Sequence, residues 1–324
     1  MKNSQHNLII DNPQFRSTLS VKKNDLKNRY KVVYKETFQT SVPGTAANVF
    51  YISKPFLKNK RVLDLGCGAG RLSLFASTVA KQVIGIDYIS DAIEYAKSFS
   101  KLTNRKNVKF EVADLDKFAG EKFDVILISE VLQHVKNPQN TLKKCKKLLN
   151  KNGYVIVNIP CFNNFRGDVW LTLQNLFHLP MSLTDTFQIS PNEIEVMSKK
   201  AGLKLEKIVG MSYDWAWDEW GIEDIKRRIS LAVKDAKLDK ISDLKSINQW
   251  LDSKLIENRQ FLEYLKKSKK LKLRPKLSPL NIPKNSNSKI KKYLDDGKLD
   301  INRFYCSKSP HNTMGAGAIY FIKN

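Results

Sequence analysis

Three glycines at alternate positions, Gly66, Gly68 and Gly70, are the residues whose spacing most clearly predicts chemistry in this chain. They follow a short apolar run that contains Asp64, and amphipathic sequence begins directly after them. Glycine lets the backbone take positive φ and lets a ligand approach without meeting a Cβ atom. The pattern therefore predicts a strand, a tight turn and a helix, with a ligand bound at the turn.

An acid stands at the end of the next apolar run, Val83-Ile84-Gly85-Ile86-Asp87, 17 residues after Gly70. A carboxylate at the end of a second strand is placed to accept both hydroxyls of a ribose. The spacing differs from that of a dinucleotide fingerprint, which has its third glycine one position later, where this chain has Arg71.

The Gly-x-Gly-x-Gly pattern preceded by Asp64 resembles the first motif of class I S-adenosylmethionine-dependent methyltransferases. A later run, Glu130-Val131-Leu132-Gln133-His134-Val135, resembles the loop after the fourth strand in ubiquinone-biosynthesis-type (methyltransferase domain 11-like) members. The resemblance implies S-adenosyl-L-methionine as cofactor and methyl transfer by in-line displacement. It also implies an α/β fold, a Rossmann-like sheet of seven strands.

The same resemblance assigns residues to the cofactor site. Asp87 would bind the adenosyl ribose, and Asp114 would bind the adenine amino group with help from the backbone of Leu115. The implied cofactor set is Asp64, Gly66, Cys67, Gly68, Gly70, Asp87, Asp114, Leu115 and Ser129.

Two residues of the loop after the fourth strand are candidates for catalysis, Glu130 and His134. They are four positions apart, so they share one face if the loop is helical. His134 has a side chain suited to general-base catalysis near neutral pH, and Glu130 is expected to line the pocket. The alternative for His134 is that it caps or packs the loop.

Aromatic residues near the expected pocket predict a wall for the acceptor, with core packing as the alternative. The four cysteines show no metal-ligand pairing, so no metal site is predicted. The proposed wall consists of Phe162, Phe165, Trp170 and Trp215.

Apolar strand patterns alternate with amphipathic helix patterns from residue 45 onward, which predicts a parallel sheet with ligands at the carboxyl ends of its strands. The last apolar strand lies at the end of the chain, far from the sixth. We therefore expect a helical insertion between the last two strands. The predicted organisation is an extension (1–44), a catalytic domain (45–213), a mainly helical cap (214–315) and the last strand (316–324).

The net charge of +24 allows nucleic acid, an anionic membrane surface or acidic substrates as partners. Lysines dominate the excess, and aromatic residues are not interleaved with them, so a solvated surface is favoured over an RNA-binding face. No apolar run is long enough to cross a bilayer. With four scattered cysteines and no signal peptide, the sequence predicts a cytoplasmic location.

Three functions fit these observations. A methyltransferase acting on a small molecule is favoured, because the loop at residues 130–135 resembles that of small-metabolite enzymes. The positive charge supports the alternative of a tRNA or rRNA methyltransferase. A third alternative is an S-adenosylmethionine-binding assembly factor without catalysis. The sequence does not indicate the oligomeric state.

Overall fold

The computed structural model describes residues 44–115, 118–160, 171–172, 189–211, 226, 244–267 and 317–324. Within these ranges the strands of one sheet alternate with helices. The helices are α1 (Gly44–Leu57), α2 (Arg71–Ser77), α3 (Ser90–Leu102), α4 (Pro138–Leu148), α5 (Pro191–Lys200) and α6 (Leu244–Lys267). The strands are β1 (Arg61–Leu65), β2 (Gln82–Asp87), β3 (Val108–Val112), β4 (Phe123–Ser129), β5 (Leu149–Pro160), β6 (Lys204–Met211) and β7 (Gly317–Lys323).

The seven strands form one sheet in the order β3-β2-β1-β4-β5-β7-β6. Strands β1 to β5 pair in parallel, and β7 lies antiparallel between β5 and β6. The predicted seven-stranded α/β fold is confirmed. The carboxyl ends of β1, β2, β3 and β4 meet at one edge, which is where the sequence predicts the site.

Each face of the sheet carries its own apolar core because successive strand residues point to opposite faces. Helices α1, α2 and α3 cover one face, with Phe50, Leu74 and Phe110 in that core. Helices α4 and α5 cover the other, where Leu142 and Ile194 are fully buried. This packing fixes the positions of the carboxyl ends of the strands and of the loops that follow them.

The apolar run at 153–160 predicts a strand from Gly153, and the spacing of Leu142, Cys145, Leu148 and Leu149 predicts a helix before it. Strand β5 instead starts four residues earlier, so Leu149 belongs to the strand. Leu149 pairs with Phe123, and the register then shifts before Tyr154 pairs with Val125. The irregularity includes Asn152 with a φ of 63°. A local bulge of this kind leaves no periodic signal in the sequence.

The predicted insertion is described in part. Strands β6 and β7 pair directly, and the last residue of β6, Met211, pairs with the first residue of β7, Gly317. The chain between them therefore begins and ends at the same end of the two strands. Apolar residues at helical spacing predict two helices within it, at 222–236 and 247–265; α6 covers the second, and its Ile247 and Leu251 are buried. Of the first pattern, residues 222–236, only Lys226 lies within the described part, and most of residues 1–44 lies outside it. The role of residues 214–315 as a cap stays a prediction.

Candidate functional site

The turn between β1 and α2 takes the conformation that its glycines predict. Gly66, Gly68 and Gly70 have φ values of 68°, 54° and 76°. The amides of Gly66 and Cys67 donate to the carbonyl of Ile86 at 2.8 and 3.0 Å, which holds the turn against the end of β2. The backbone of the turn is therefore fixed in a left-handed conformation that favours glycine.

Close packing gives a second reason for glycine at both ends of this turn. A Cβ atom on Gly66 would lie 2.5 Å from Cγ2 of Val131, in the loop after β4. A Cβ atom on Gly70 would lie 2.6 Å from Cζ of Phe110 on β3. Side chains from β3 and from the loop after β4 thus pack directly on the turn.

Asp87 lies at the end of β2, as predicted, and is 5% exposed. Its Oδ2 accepts the amide of Gly68 and its Oδ1 accepts the amide of Ile89, each at 2.9 Å. Burial raises the pKa of this carboxyl above its usual value, and the backbone hydrogen bonds oppose that rise. Since a carboxylate can accept about four hydrogen bonds, each oxygen retains capacity for a further donor.

A second buried acid lies beside the turn. Asp64 is 2% exposed and its Oδ2 accepts the hydroxyl of Ser73 at 2.6 Å. Burial raises its pKa to about 7, with a smaller contribution from the charge of Asp87. The Cys67 thiol is free, and burial together with the two nearby carboxylates raises its pKa. Cys67 is therefore an un-ionised thiol at neutral pH, unsuited to act as a nucleophile.

The loop after β4 differs from a helical turn. Its 3₁₀ helix covers Leu132–His134 alone, and Glu130 precedes it with a φ of 57°. The condition for Glu130 and His134 to share one helical face is therefore not met. His134 is half-buried, and its amide donates to the carbonyl of Val131 at 2.9 Å.

Glu130 is held by side chains from two directions. The Nδ2 of Asn158 on β5 donates to its Oε1 at 2.8 Å, and the Nε2 of Gln133 donates to its Oε2 at 3.0 Å. The same Asn158 amide donates to the hydroxyl of Ser129 at 3.3 Å. The Glu130 amide donates to the carbonyl of Asn158 at 2.8 Å, so backbone and side chain are both fixed.

The other predicted cofactor residues lie near the same edge. Asp114 and Leu115 follow β3 and are half-buried, and the preceding Ala113 donates its amide to the carbonyl of Asp87 at 2.9 Å. Ser129 is the last residue of β4. The predicted acceptor wall, Phe162, Phe165, Trp170 and Trp215, lies outside the described residues.

The sequence reading missed Asn158, Gln133 and Ser73. Asn158 is fully buried, and Gln133 is 3% exposed. A signal for Asn158 was present, because it is a polar residue within the apolar run 155–159 near the carboxyl end of β5. Buried polar side chains are rare enough to need a partner, and here the partner is Glu130.

A family model described as a methyltransferase domain matches residues 56–211. The ubiquinone biosynthesis O-methyltransferase of Pelagibacter ubique is 33% identical over 172 residues, which are 51% of this chain and 70% of that relative. The Coxiella burnetii protein of the same name is 29% identical over 181 residues, 54% of this chain and 75% of that relative.

The chain belongs to the S-adenosylmethionine-dependent methyltransferases. Among solved structures, a methyltransferase of Thermotoga maritima, described as a possible histamine N-methyltransferase, is 20% identical with a TM-score of 0.46. That match covers 58% of this chain and 84% of the other, and the family assignment rests on the sequence relatives instead.

The site of this methyltransferase fits its cofactor in two respects. The turn takes positive φ at three glycines, and since Val131 and Phe110 fill the Cβ positions of Gly66 and Gly70, the close approach of a ligand that glycine allows is left to Gly68. Asp87 supplies a carboxylate whose position is fixed by two amides and whose oxygens can accept further donors. Among the described residues, no three His, Cys, Asp or Glu side chains form a group that could hold a metal ion. Within the same ranges, no helix has the length and apolarity to cross a bilayer.

Proposed function

We propose that this methyltransferase transfers a methyl group to a hydroxyl of a small organic molecule. The observation that carries the proposal is the similarity to proteins named ubiquinone biosynthesis O-methyltransferase, over 70% and 75% of their lengths. The matched family region, residues 56–211, includes the glycine turn, Asp87 and the loop that carries Glu130 and His134.

The cofactor set predicted from the sequence is part of this proposal. Asp87 would accept hydrogen bonds from the ribose hydroxyls, Asp114 would accept one from the adenine amino group, and Gly66, Gly68 and Gly70 would form the turn beside which the cofactor lies. Cys67, Leu115 and Ser129 would line its edges, and Asp64 would support the turn through Ser73. When bound, S-adenosylmethionine supplies a methyl group on a positively charged sulfur, which is already activated for displacement.

On the acceptor side, the residues of the chain have two tasks. One is to hold the hydroxyl in line with the methyl group and away from water. The other is to remove the proton that the hydroxyl loses when its oxygen forms the new bond to carbon. His134 is the proposed base, since it is half-buried in the loop next to the glycine turn and its neutral form can accept that proton.

The proposed base is tested with the variant His134→Gln. If His134 accepts the proton, turnover falls by a factor of roughly 100 or more, the usual contribution of a general base, while calorimetry shows unchanged affinity for S-adenosylmethionine. A structural role for His134 would instead lower the thermal unfolding temperature and leave turnover of the folded fraction intact.

The acceptor class is tested with labelled S-adenosylmethionine and a panel of small phenols, alcohols, amines and thiols, beside bulk tRNA and rRNA. We expect methyl transfer to a hydroxyl compound and none to RNA. Any RNA binding should be weak, independent of sequence and lost near physiological salt, because it would come from surface lysines. Methyl transfer to a defined RNA position would establish the RNA methyltransferase instead.

Cofactor binding without turnover on any acceptor would favour the assembly-factor alternative.

A cytoplasmic location is part of the proposal as well. Its support is that Cys67 and Cys145 are free thiols, as is usual in a reducing compartment.

A further inference from the structure

The carboxylate of Glu130 is fixed by more hydrogen bonds than a residue lining a pocket requires. Each of its oxygens accepts an amide N–H, from Asn158 at 2.8 Å and from Gln133 at 3.0 Å. Both donors are themselves buried. Hydrogen bonds donated to both oxygens favour the ionised form of a carboxylate, since a protonated one would lose an acceptor. The two amides thus fix the Glu130 carboxylate in place and favour its negatively charged form.

The loop that carries this carboxylate packs beside the glycine turn. Leu65 at the end of β1 pairs with Ile128 near the end of β4, so the residues that follow on the two strands are neighbours. The residue after Glu130, Val131, lies so close to Gly66 that a Cβ atom there would be 2.5 Å from its Cγ2. The loop that begins with Glu130 thus packs against the backbone that the proposed function assigns to the cofactor.

We propose that Asn158 and Gln133 hold Glu130 as a fixed anion whose charge favours the sulfonium of the methyl donor over the neutral demethylated product. The proposal rests on the proposed function, which places the cofactor at the glycine turn. Transfer of the methyl group removes the positive charge on sulfur, so the attraction to Glu130 disappears once the reaction is complete. Glu130 then has a role in exchange of product for fresh donor and none as a base.

The two amides matter to this role because a mobile glutamate would not keep its charge in place. A long side chain at a surface loses conformational freedom when it forms an ion pair, which reduces the net attraction. Here Asn158 and Gln133 have already restrained Glu130 before any ligand binds. Asn158 and Gln133 are therefore positioning residues that act through Glu130.

The experiment is calorimetry of S-adenosylmethionine and S-adenosylhomocysteine with the wild-type chain and the variant Glu130→Gln. The two ligands differ in the methyl group and its charge, so the ratio of their Kd values isolates the sulfonium. We expect Glu130→Gln to shift that ratio about fivefold toward the neutral product, mainly by weakening the donor, as suits a partly screened charge pair. The control Glu206→Gln removes the same charge on β6, outside the site, and should leave the ratio unchanged.

A second pair of variants tests the positioning. Gln133→Met removes one amide donor with little change of length, and should shift the ratio in the same direction by about twofold to threefold, as for a partly mobile charge. Added to Glu130→Gln, it should shift the ratio no further, because the charge it positions is gone. Asn158→Leu should behave likewise, with Gln133→Met as the variant to rely on if loss of the fully buried Asn158 prevents folding.

Several results would overturn the inference. If Glu130→Gln keeps the wild-type ratio of the two Kd values, the charge does not act on the sulfonium. Equal weakening of both ligands would place Glu130 near a group that they share. A further shift from Gln133→Met in the Glu130→Gln background would show that Gln133 acts independently of Glu130. Failure of the wild-type chain to bind either ligand would instead contradict the proposed function.

Discussion

Acidic side chains are placed very differently in two regions of the molecule. In the glycine-turn region, residues 61–87, Asp64 and Asp87 are buried and accept hydrogen bonds from Ser73 and from backbone amides. In the hairpin region, residues 189–211 and 317–324, Glu206 is exposed and accepts the hydroxyl of Tyr154 at 2.8 Å. Lys323 lies 3.5 Å from the same carboxyl group. The first arrangement buries two acids at the proposed cofactor site, whereas the second is a surface ion pair of small energy.

The directions of the pKa shifts follow from this difference. Burial raises the pKa of Asp64 to about 7 and also raises that of Asp87. The hydrogen bond from Tyr154 and the charge of Lys323 lower the pKa of Glu206. Burial makes the charged form of such an acid unfavourable, so a ligand that donates a hydrogen bond to the carboxylate stabilises that form. We therefore expect ligand binding to depend on the glycine-turn region and overall stability to depend on both regions.

The largest expected effect compares two buried phenylalanines. Phe110 packs on Gly70 and Gly85 in the glycine-turn region, whereas Phe321 packs on Phe56 in the hairpin region. Either change to alanine should lower the free energy of unfolding by about 3–5 kcal/mol, as large core truncations do. Phe110→Ala alone should also weaken S-adenosylmethionine binding, because the support of the turn is removed. Urea unfolding of both variants measures the free energy of unfolding, and calorimetry measures the affinity for S-adenosylmethionine. Equal loss of affinity in the two variants would show that the two regions do not differ in their effect on binding.

The second prediction concerns pH and Asp64. The folded chain holds the Asp64 proton more tightly than the unfolded chain, so its contribution to stability is complete below about pH 4. That contribution is lost as pH rises toward 7, by at most roughly 4 kcal/mol for a shift from 3.8 to about 7. Asp64→Asn stays neutral and should flatten this fall. Denaturant unfolding between pH 4 and 8 provides the measurement.

Glu206→Gln is the matched control for that series. The lowered pKa of Glu206 gives stability above its unfolded pKa that is lost as pH falls through the folded value. This variant should therefore change the profile only on the acid side, and weakly, because the group is exposed. A wild-type slope in Asp64→Asn would show that Asp64 titrates normally.

The third prediction compares two left-handed glycines, Gly66 and Gly202, with φ values of 68° and 73°. A Cβ atom on Gly202 would meet the flexible end of Lys146, which can move aside, whereas on Gly66 it would meet the branched side chain of Val131. Gly202→Ala should cost about 1–2 kcal/mol of stability from backbone strain alone. Gly66→Ala should cost about 2–4 kcal/mol, because overpacking adds to the strain. Thermal unfolding of both variants tests this, and equal costs would indicate that Val131 yields freely.

Local signals account for what the sequence predicted well. The apolar run at residues 123–129 predicts a strand, since a run of that length is a strong strand pattern, and β4 has the same bounds, Phe123–Ser129. Pro191 and Gly202 predict a helix between them, with proline in its first turn and glycine after its end, and α5 covers Pro191–Lys200. Ser190 and Glu193 form a capping box at its start, and Gly202 has a φ of 73° after its end. These features depend on neighbours within a few residues.

Contacts between distant segments account for what the sequence did not predict. Asn158 and Glu130 are 28 residues apart, and their hydrogen bond depends on the pairing of β4 with β5. The packing of Val131 on Gly66 likewise depends on the order of strands in the sheet. The left-handed φ of Glu130 prevents the loop from forming a helix that includes both Glu130 and His134. No glycine, asparagine or other typical turn residue at that position predicts this conformation. Such features follow from tertiary structure and have no periodic signature.

The most direct test of the account is calorimetry of S-adenosylmethionine with Asp87→Ala, beside Glu206→Ala as the exposed counterpart from the hairpin region. The account predicts that Asp87→Ala loses about 2–4 kcal/mol of binding free energy, as expected for charged hydrogen bonds to a ribose, while Glu206→Ala binds as the wild type does. Thermal unfolding of both variants establishes that each is folded at the temperature of the titration. Undiminished affinity in folded Asp87→Ala would contradict the assignment of the cofactor to the end of β2.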